Sequence, residues 1–313
     1  MSCSHSTLNY LALSCVKGIG PATLRKIHAA FGSEVALKDP DALQPCLPSN
    51  ITLSPGAIDE AMDRAQFQID QAQAHSAVIL SRADPDYPPL LASSHDDPFI
   101  LYVKGSLAAP ETLSVAIVGT RKPTRHGSVI AHRIAGYCSE QGASIVSGLA
   151  LGCDAIAHQS VIDHRGHTVA VLAHGLQTVA PQDNRPLAEA ILERGGALVS
   201  QFPFGTDPIP ANFVKRDRVQ AGLAQGVILV QSGMSGGSLH ASRAALRSGR
   251  FLAVVRPTDA DLESNIHSIR ANRCLTDPET PTDEKAQLLK CDPDRLTAMR
   301  VINGRDDYPR LFA

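Results

Sequence analysis

The stretch "IVSGLALGCDAIAH", residues 145–158, runs from an apolar, strand-like segment through two glycines into a helix. Gly148 and Gly152 lie among small residues just before Asp154. A loop of that build offers backbone N–H groups to an anion, commonly a phosphate. A second loop, "SGMSGGSLHAS" (232–242), sets Ser235, Gly236, Gly237 and Ser238 at another helix start. After a third apolar run, "VGTRKPTRHG" places Gly119, Thr120 and Arg121, and a guanidinium there suits an anion. Lys215, Arg216 and Arg218 stand together with only Asp217 opposing them, and Phe213 or Phe202 offers a ring on which a base can stack. Two helix starts and two basic clusters match the successive phosphates of a polynucleotide strand.

Other chemistries fit less well. A dinucleotide fold needs G-x-G-x-x-G after its first strand, but Arg121 stands where a glycine would let pyrophosphate approach. No Walker motif occurs, and neither a nicotinamide nor a flavin cofactor is expected. Cleavage of an N-glycosidic bond needs a carboxylate near the oxocarbenium centre. "SGGSLHASRAA" offers His240 and Ser242 instead. Asp154 reads as the N-cap of its helix, since a carboxylate serving as catalytic acid would repel a phosphate. The histidines at 126, 158, 164, 167 and 174 lie on different elements without a ligand pattern, so no metal is expected. Seven cysteines without a C-x-x-C pair point to reduced thiols in a cytosol, with Cys153 a packed thiol.

Six short apolar runs must position these residues: 114–118, 143–147, 168–172, 197–200, 227–231 and 251–255. Helical stretches near 127–141, 154–164, 185–195, 216–225 and 238–249 separate most of them. That alternation predicts an α/β fold, an extended Rossmann-like, doubly wound and largely parallel sheet. Ligands in such sheets sit at the carboxyl ends of the strands. Gly119, Ser147, Gly148, Leu149, Gly175 and Gly233 all fall at that end.

Upstream, "NYLALSCVKGIGPATLRKIHAAFG" reads as helix, tight turn, helix. Gly18 and Gly20 form the turn and Pro21 takes the first helical position. The pair either packs as a plain helical hairpin or touches a DNA phosphate through its glycine amides. An amphipathic helix follows around 57–75. The organisation expected is a helical N-terminal domain over 1–80, a Rossmann domain over 84–275, and a polar, loosely packed tail over 276–313.

The totals are those of an ordinary water-soluble chain. It has 313 residues, 43% of them hydrophobic, and a formal net charge of −2. Mean hydropathy is −0.04. No apolar run approaches the roughly 20 residues of a membrane span, and the N-terminus lacks a signal peptide's basic flank. A neutral total leaves room for one basic face, built from Arg121, Lys122, Arg125 and Arg133 with the 215–218 cluster. Arg243, Arg247 and Arg250 follow at near-helical spacing, either on that face or on solvated helix surface.

Taken together, "DPFILYVKG", "AIVGTRKPTRHG", "IVSGLALGCDAIAH", "TVAVLAHGL", "ALVSQFPFG", "FVKRDRVQAGLA" and "SGGSLHASRAALRSGRFLAVV" resemble, in order and spacing, the DNA-processing protein A (DprA/Smf) family over about residues 84–257. The resemblance implies a non-catalytic, cytoplasmic homodimer that binds single-stranded DNA in a basic pocket. It also implies loading of a RecA-type recombinase during uptake of transforming DNA. The family's Gly-Ser-Arg turn falls on Gly119, Thr120 and Arg121, its Ser-Gly loop on Ser147 to Asp154, and its F-x-x-R-N-R segment on Phe213, Arg216, Asp217 and Arg218. Departures are Gln201 and Gln231 for glutamate, Asp217 for asparagine, Ala180 for the tyrosine before Pro181, and no room for a C-terminal winged helix. These departures leave open a second role, a nucleotide- or nucleic-acid-sensing module that serves a toxin or phage-defence partner.

Overall fold

A computed structural model describes residues 3–264 and 266–312. Nine strands form one sheet: β1 (Ala77–Ser81), β2 (Ile100–Gly105), β3 (Ser114–Val118), β4 (Ser144–Ser147), β5 (Thr168–Leu172), β6 (Ala197–Ser200), β7 (Gly226–Leu229), β8 (Phe251–Val255) and β9 (Met299–Ile302). Their order is β1-β2-β6-β5-β4-β3-β7-β8-β9. From β6 to β9 every pairing is parallel, while β1 and β2 add antiparallel at one edge. The α/β, largely parallel fold read from the alternating runs is therefore the fold observed.

Strand periodicity sorts the core. Val115 and Ile117 of β3 point to one face, where they meet helices Arg125–Glu140 and Cys153–Asp163 through Ile134, Ala157 and Val161. Ala116 and Val118 point to the other face, against helices Pro210–Gly222, Ser238–Arg247 and Thr282–Leu289 through Val219, Leu239 and Leu289. Both faces of the central strands are covered, so those strands read as unbroken apolar runs rather than alternating ones.

The chain winds outward from β3 through β4, β5 and β6. It then returns to lay β7, β8 and β9 on the other side. The loops after β3 and β7 therefore part company at the switch point and leave a crevice at the carboxyl edge.

The N-terminal hairpin forms as its glycines and proline predict, with helices His5–Cys15 and Pro21–Phe31 and Gly18 at φ +94°. With helix Pro55–Ala74 it packs on the sheet itself. Tyr10, Leu24 and Ile27 share one core with Ile79, Ile100 and Tyr102. Residues 77–80 close the expected helical N-terminal domain, yet with Ser81 they form strand β1. "AVILS" finds a pairing edge on β2, and Asp97 ties the junction by accepting from Arg82 (2.8 Å), the Phe99 amide (2.9 Å) and the Tyr87 hydroxyl.

The polar stretch after 275 is not a loose tail. It forms helix Thr282–Leu289 and then β9, which extends the parallel sheet beside β8. Leu289, Ile302, Tyr308 and Leu311 are all buried. A few apolar anchors in a charged stretch suffice because the uncovered edge of β8 supplies the backbone partners. Ile302→Ala is therefore expected to destabilise the fold by about 2–4 kcal/mol, as a buried truncation does. Urea unfolding would show it, whereas a loose tail would leave the midpoint unchanged.

Candidate nucleic-acid interface

The crevice at the switch point is a cavity of about 380 Å³. Its walls come from the loop after β3 (Gly119 to Arg121), from Ala150 and Asp154 after β4, from the loop after β7 and from helix Pro210–Gly222. Four residues of that helix face it: Phe213, Arg216, Asp217 and Gln220, one stripe at i, i+3, i+4, i+7.

Arg216 is largely buried in the cavity floor and spends its guanidinium on the protein. Its Nη1 donates to the Gly148 carbonyl and to the Val171 carbonyl (2.8 Å), and Nε donates to Asp217 Oδ1 (3.0 Å). A side chain at 148 would displace this guanidinium, because a Cβ there would lie 2.2 Å from the arginine Nη1. Gly152 takes φ +81° against the backbone of Thr120 and Arg121, so the β3 and β4 loops lock together. Leu149, fully buried, also takes a left-handed φ of +56° and is held by Asn184, whose Nδ2 donates to its carbonyl (2.7 Å).

Asp154 is not the N-cap. Gly152 holds that position, and the helix starts at Cys153. Glycine occupies the cap because the left-handed turn needs it, which leaves the carboxylate two positions past the cap, at the second helical residue and inward. There burial raises its pKa to about 6, against the pull of Arg216 and of backbone hydrogen bonds at Ala150 and Gly148. The loop thus turns amides toward its own aspartate and its Gly148 carbonyl toward Arg216.

The outward donors lie elsewhere. Arg121 is exposed, with its guanidinium carbon 5.3 Å from the centroid of the half-buried Phe213 ring. In the loop after β7, the amides of Gly237 and Ser238 make no backbone hydrogen bond among the described residues, and they open helix Ser238–Arg247 toward the cavity. Asn272 fixes this loop. Its Oδ1 accepts from the Ser232 amide (2.7 Å), while its Nδ2 donates to the carbonyls of Leu229, Val230 and Val255.

Of the residues singled out in the sequence, Gly119, Thr120, Arg121, Phe213, Arg216, Gly236, Gly237 and Ser238 line one cavity. Ser147 lies behind it with Oγ donating to the Ile117 carbonyl (2.6 Å), and Gly148 and Leu149 are spent as described. Gly175 shares the sheet edge but packs against Pro203 and Phe204. Lys215 is exposed on the outer side of the helix. Arg218 leaves the cavity and meets Asp96 (3.3 Å), as does Arg247 (3.6 Å), so these two arginines share one environment. Arg250 is buried and donates to the carbonyls of Ala224 and Leu90. Phe202 is buried and outside the cavity lining.

Sequence reading missed Gln220, which is 1% exposed with an Nε2 that has no partner among the described residues. Its position one helical turn after Arg216 was the available signal. The departure at Gln231 has a packing reason. Its Nε2 donates to Asp261 Oδ2 (3.2 Å) and Thr124 Oγ1 (2.9 Å), and a glutamate would set a second carboxylate against Asp261.

His158 lies beneath the site, fully buried. The Thr168 hydroxyl donates to the Ile145 carbonyl, so its oxygen accepts from His158 Nδ1 (2.7 Å), and Nε2 has no partner among the described residues. Burial, aided by Arg216, lowers its pKa from 6.5 to about 3. Between those values the unfolded chain binds a proton that the folded chain refuses, so stability falls as pH drops below about 6.5. Asp154, raised from 3.8 to about 6, acts oppositely and favours the fold as pH falls through that window. His158→Gln should therefore remove this residue's share of the acid-side loss, up to about 1.4 kcal/mol per pH unit. The urea midpoint of the variant, followed from pH 7 down to about pH 4, should fall less than that of the unaltered chain.

Residues 78–277 match the family model described as DNA recombination-mediator protein A. Protein Smf of Escherichia coli is 39% identical over 164 residues, covering 52% of this chain and 44% of that protein. Protein Smf of Synechocystis is 37% identical over 237 residues, covering 74% and 59%. The chain thus spans about half the length of these relatives. The crystal structure of DNA processing protein A from Streptococcus pneumoniae superposes with a TM-score of 0.69 at 24% identity, covering 99% of this chain and 98% of that one. The protein from Helicobacter pylori, described for its single-stranded DNA binding mode, gives 0.59 at 24% identity over 75% and 95%. With the family model matching well over half of its residues, the chain belongs to the DNA recombination-mediator protein A family.

Proposed function

We propose that this chain binds single-stranded DNA at the carboxyl-edge cavity and acts in DNA processing and recombination as a binding protein, without turning its ligand over. The observation that carries this reading is the convergence of outward donors on one opening: Arg121 at the rim, over Phe213, and the amides of Gly237 and Ser238, unpaired among the described residues. Phosphate suits the helix start and the guanidinium. An unstacked base suits the phenylalanine face. The two buried carboxylates here, Asp154 and Asp217, flank Arg216, which favours a role in holding the loop over one in acid–base chemistry. Loading of a RecA-type recombinase and homodimerisation belong to the same proposal.

Arg121→Glu is expected to weaken binding of a fluorescent single-stranded oligonucleotide by at least tenfold, roughly the loss of one good charged interaction. Thermal stability should be unchanged, since this side chain is exposed. The log–log salt slope should flatten by about 0.7 for each phosphate the variant no longer neutralises. Tight binding of a mononucleotide with no salt-dependent binding of the oligonucleotide would overturn the reading and favour a nucleotide sensor.

A further inference from the structure

Helices Pro210–Gly222 and Ser238–Arg247 both start at the carboxyl edge and run side by side toward the opposite edge of the sheet. Their outer surface carries cations that the cavity does not use. Arg218 comes from the first helix. Arg243 and Arg247 come from the second, one turn apart, and His240, a turn before Arg243, completes the stripe without adding a cation. Lys290, exposed after helix Thr282–Leu289, joins the near end. Arg218 and Arg247 keep 42% and 46% of their side-chain surface exposed, so both heads remain open to a ligand. Arg243 anchors itself on the Leu288 carbonyl (2.9 Å) but leaves a buried Nε without a partner among the described residues. The cations lie close enough to act on His240, whose pKa is held below its ordinary value by burial and then by Arg243, Arg218 and Lys290, with Asp217 opposing.

The strip adjoins the cavity. Ser238, whose amide opens into the cavity, begins the helix that carries the strip, and Asp217, in the cavity wall, lies close enough to act on His240. Arg247 lies nine residues beyond Ser238, about 14 Å along the helix at the usual rise. That length spans roughly four phosphates at the per-strand rise of B-form DNA, and fewer on an extended single strand. Among the described residues, Asp96 is the one acid that forms ion pairs with the strip, and it is shared between Arg218 and Arg247, with Oδ2 making no hydrogen bond. One carboxylate between two arginines leaves positive charge in excess.

We infer that a polynucleotide held in the cavity leaves it along this strip, with Arg218 and Arg247 neutralising phosphates beyond the first nucleotides. This rests on the binding proposed above, and it assigns Arg247 a share in affinity that grows with strand length. A protein with an acidic surface could also suit the strip, but its place beside a phosphate-ready cavity favours the nucleic acid.

The test compares oligothymidylates of about 5 and about 20 nucleotides, lengths that bracket a single site. Binding to the full chain is followed by fluorescence anisotropy over a salt series. Arg218→Glu with Arg247→Glu should leave the short strand's affinity within about twofold. It should cut the long strand's affinity by tenfold or more and flatten its salt slope by about 0.7 per phosphate left unneutralised. The same change of net charge at Arg185 and Arg194, exposed on the opposite face, should leave the long strand's affinity almost intact. Asp96→Asn, which frees both arginines, should strengthen long-strand binding several-fold. That gain would not arise from a purely structural role, and it keeps the test valid if the double reversal misfolds. Short-strand binding with an unchanged long strand in both sets of variants would overturn the strip and keep the cavity. Failure of the unaltered chain to bind either strand would overturn both.

Discussion

Arg216 carries an almost wholly buried guanidinium at the floor of the cavity, and the carboxyl edge of the sheet is organised around matching its donors. An unpaired buried charge costs several kcal/mol, so every neighbour is constrained at once. The Gly148 and Val171 carbonyls must point inward, a side chain at residue 148 would displace the guanidinium, and Asp217 must stay beside it. The cation also sets the titration of its surroundings. It opposes the burial-driven rise at Asp154 and Asp217 and deepens the fall at His158. The loop after β4 is thereby a rigid wall of the cavity, with its polar groups turned to the interior.

A wall spent on internal bonds changes which groups can meet a ligand. The donors left over are Arg121 and the start of helix Ser238–Arg247, which approach from β3 and β7, the two strands that diverge at the switch point. Each is fixed by a different amide. Gln231 and Asp261 hold Thr124 at the base of the Arg121 loop, and Asn272 ties the Ser232 amide to the ends of β7 and β8. Rigid supports of this kind place donors without ordering cost on binding, which is what preorganisation supplies.

The basic residues fall into two populations that a count of charges merges. Arg216 and Arg250 are interior, with their donors on backbone carbonyls. Arg121, Lys215, Arg218 and Arg247 face outward. A near-neutral chain can present a basic surface because the acids are spread elsewhere, and Asp96 alone divides itself between two arginines of the outer helices.

The sequence by itself determined the alternation of strands and helices, the carboxyl-edge location of Gly119, Ser147 and Gly233, the N-terminal hairpin and the family. These follow from periodicity, glycine and proline placement and linked motifs, which are local properties of the chain. Tertiary structure decided the rest. β1 and β9 became strands because β2 and β8 offered free edges, and neither edge is visible in the residues that filled it. Asp154 lost its cap because Gly152 took a left-handed turn against Arg121. Arg216 and Arg218 stand two positions apart in one basic cluster, yet a helix turns about 200° between them, so one guanidinium enters the core and the other reaches Asp96. Charge is written in the residue type, but its direction depends on the face a helix buries, and only packing against the sheet fixes that face.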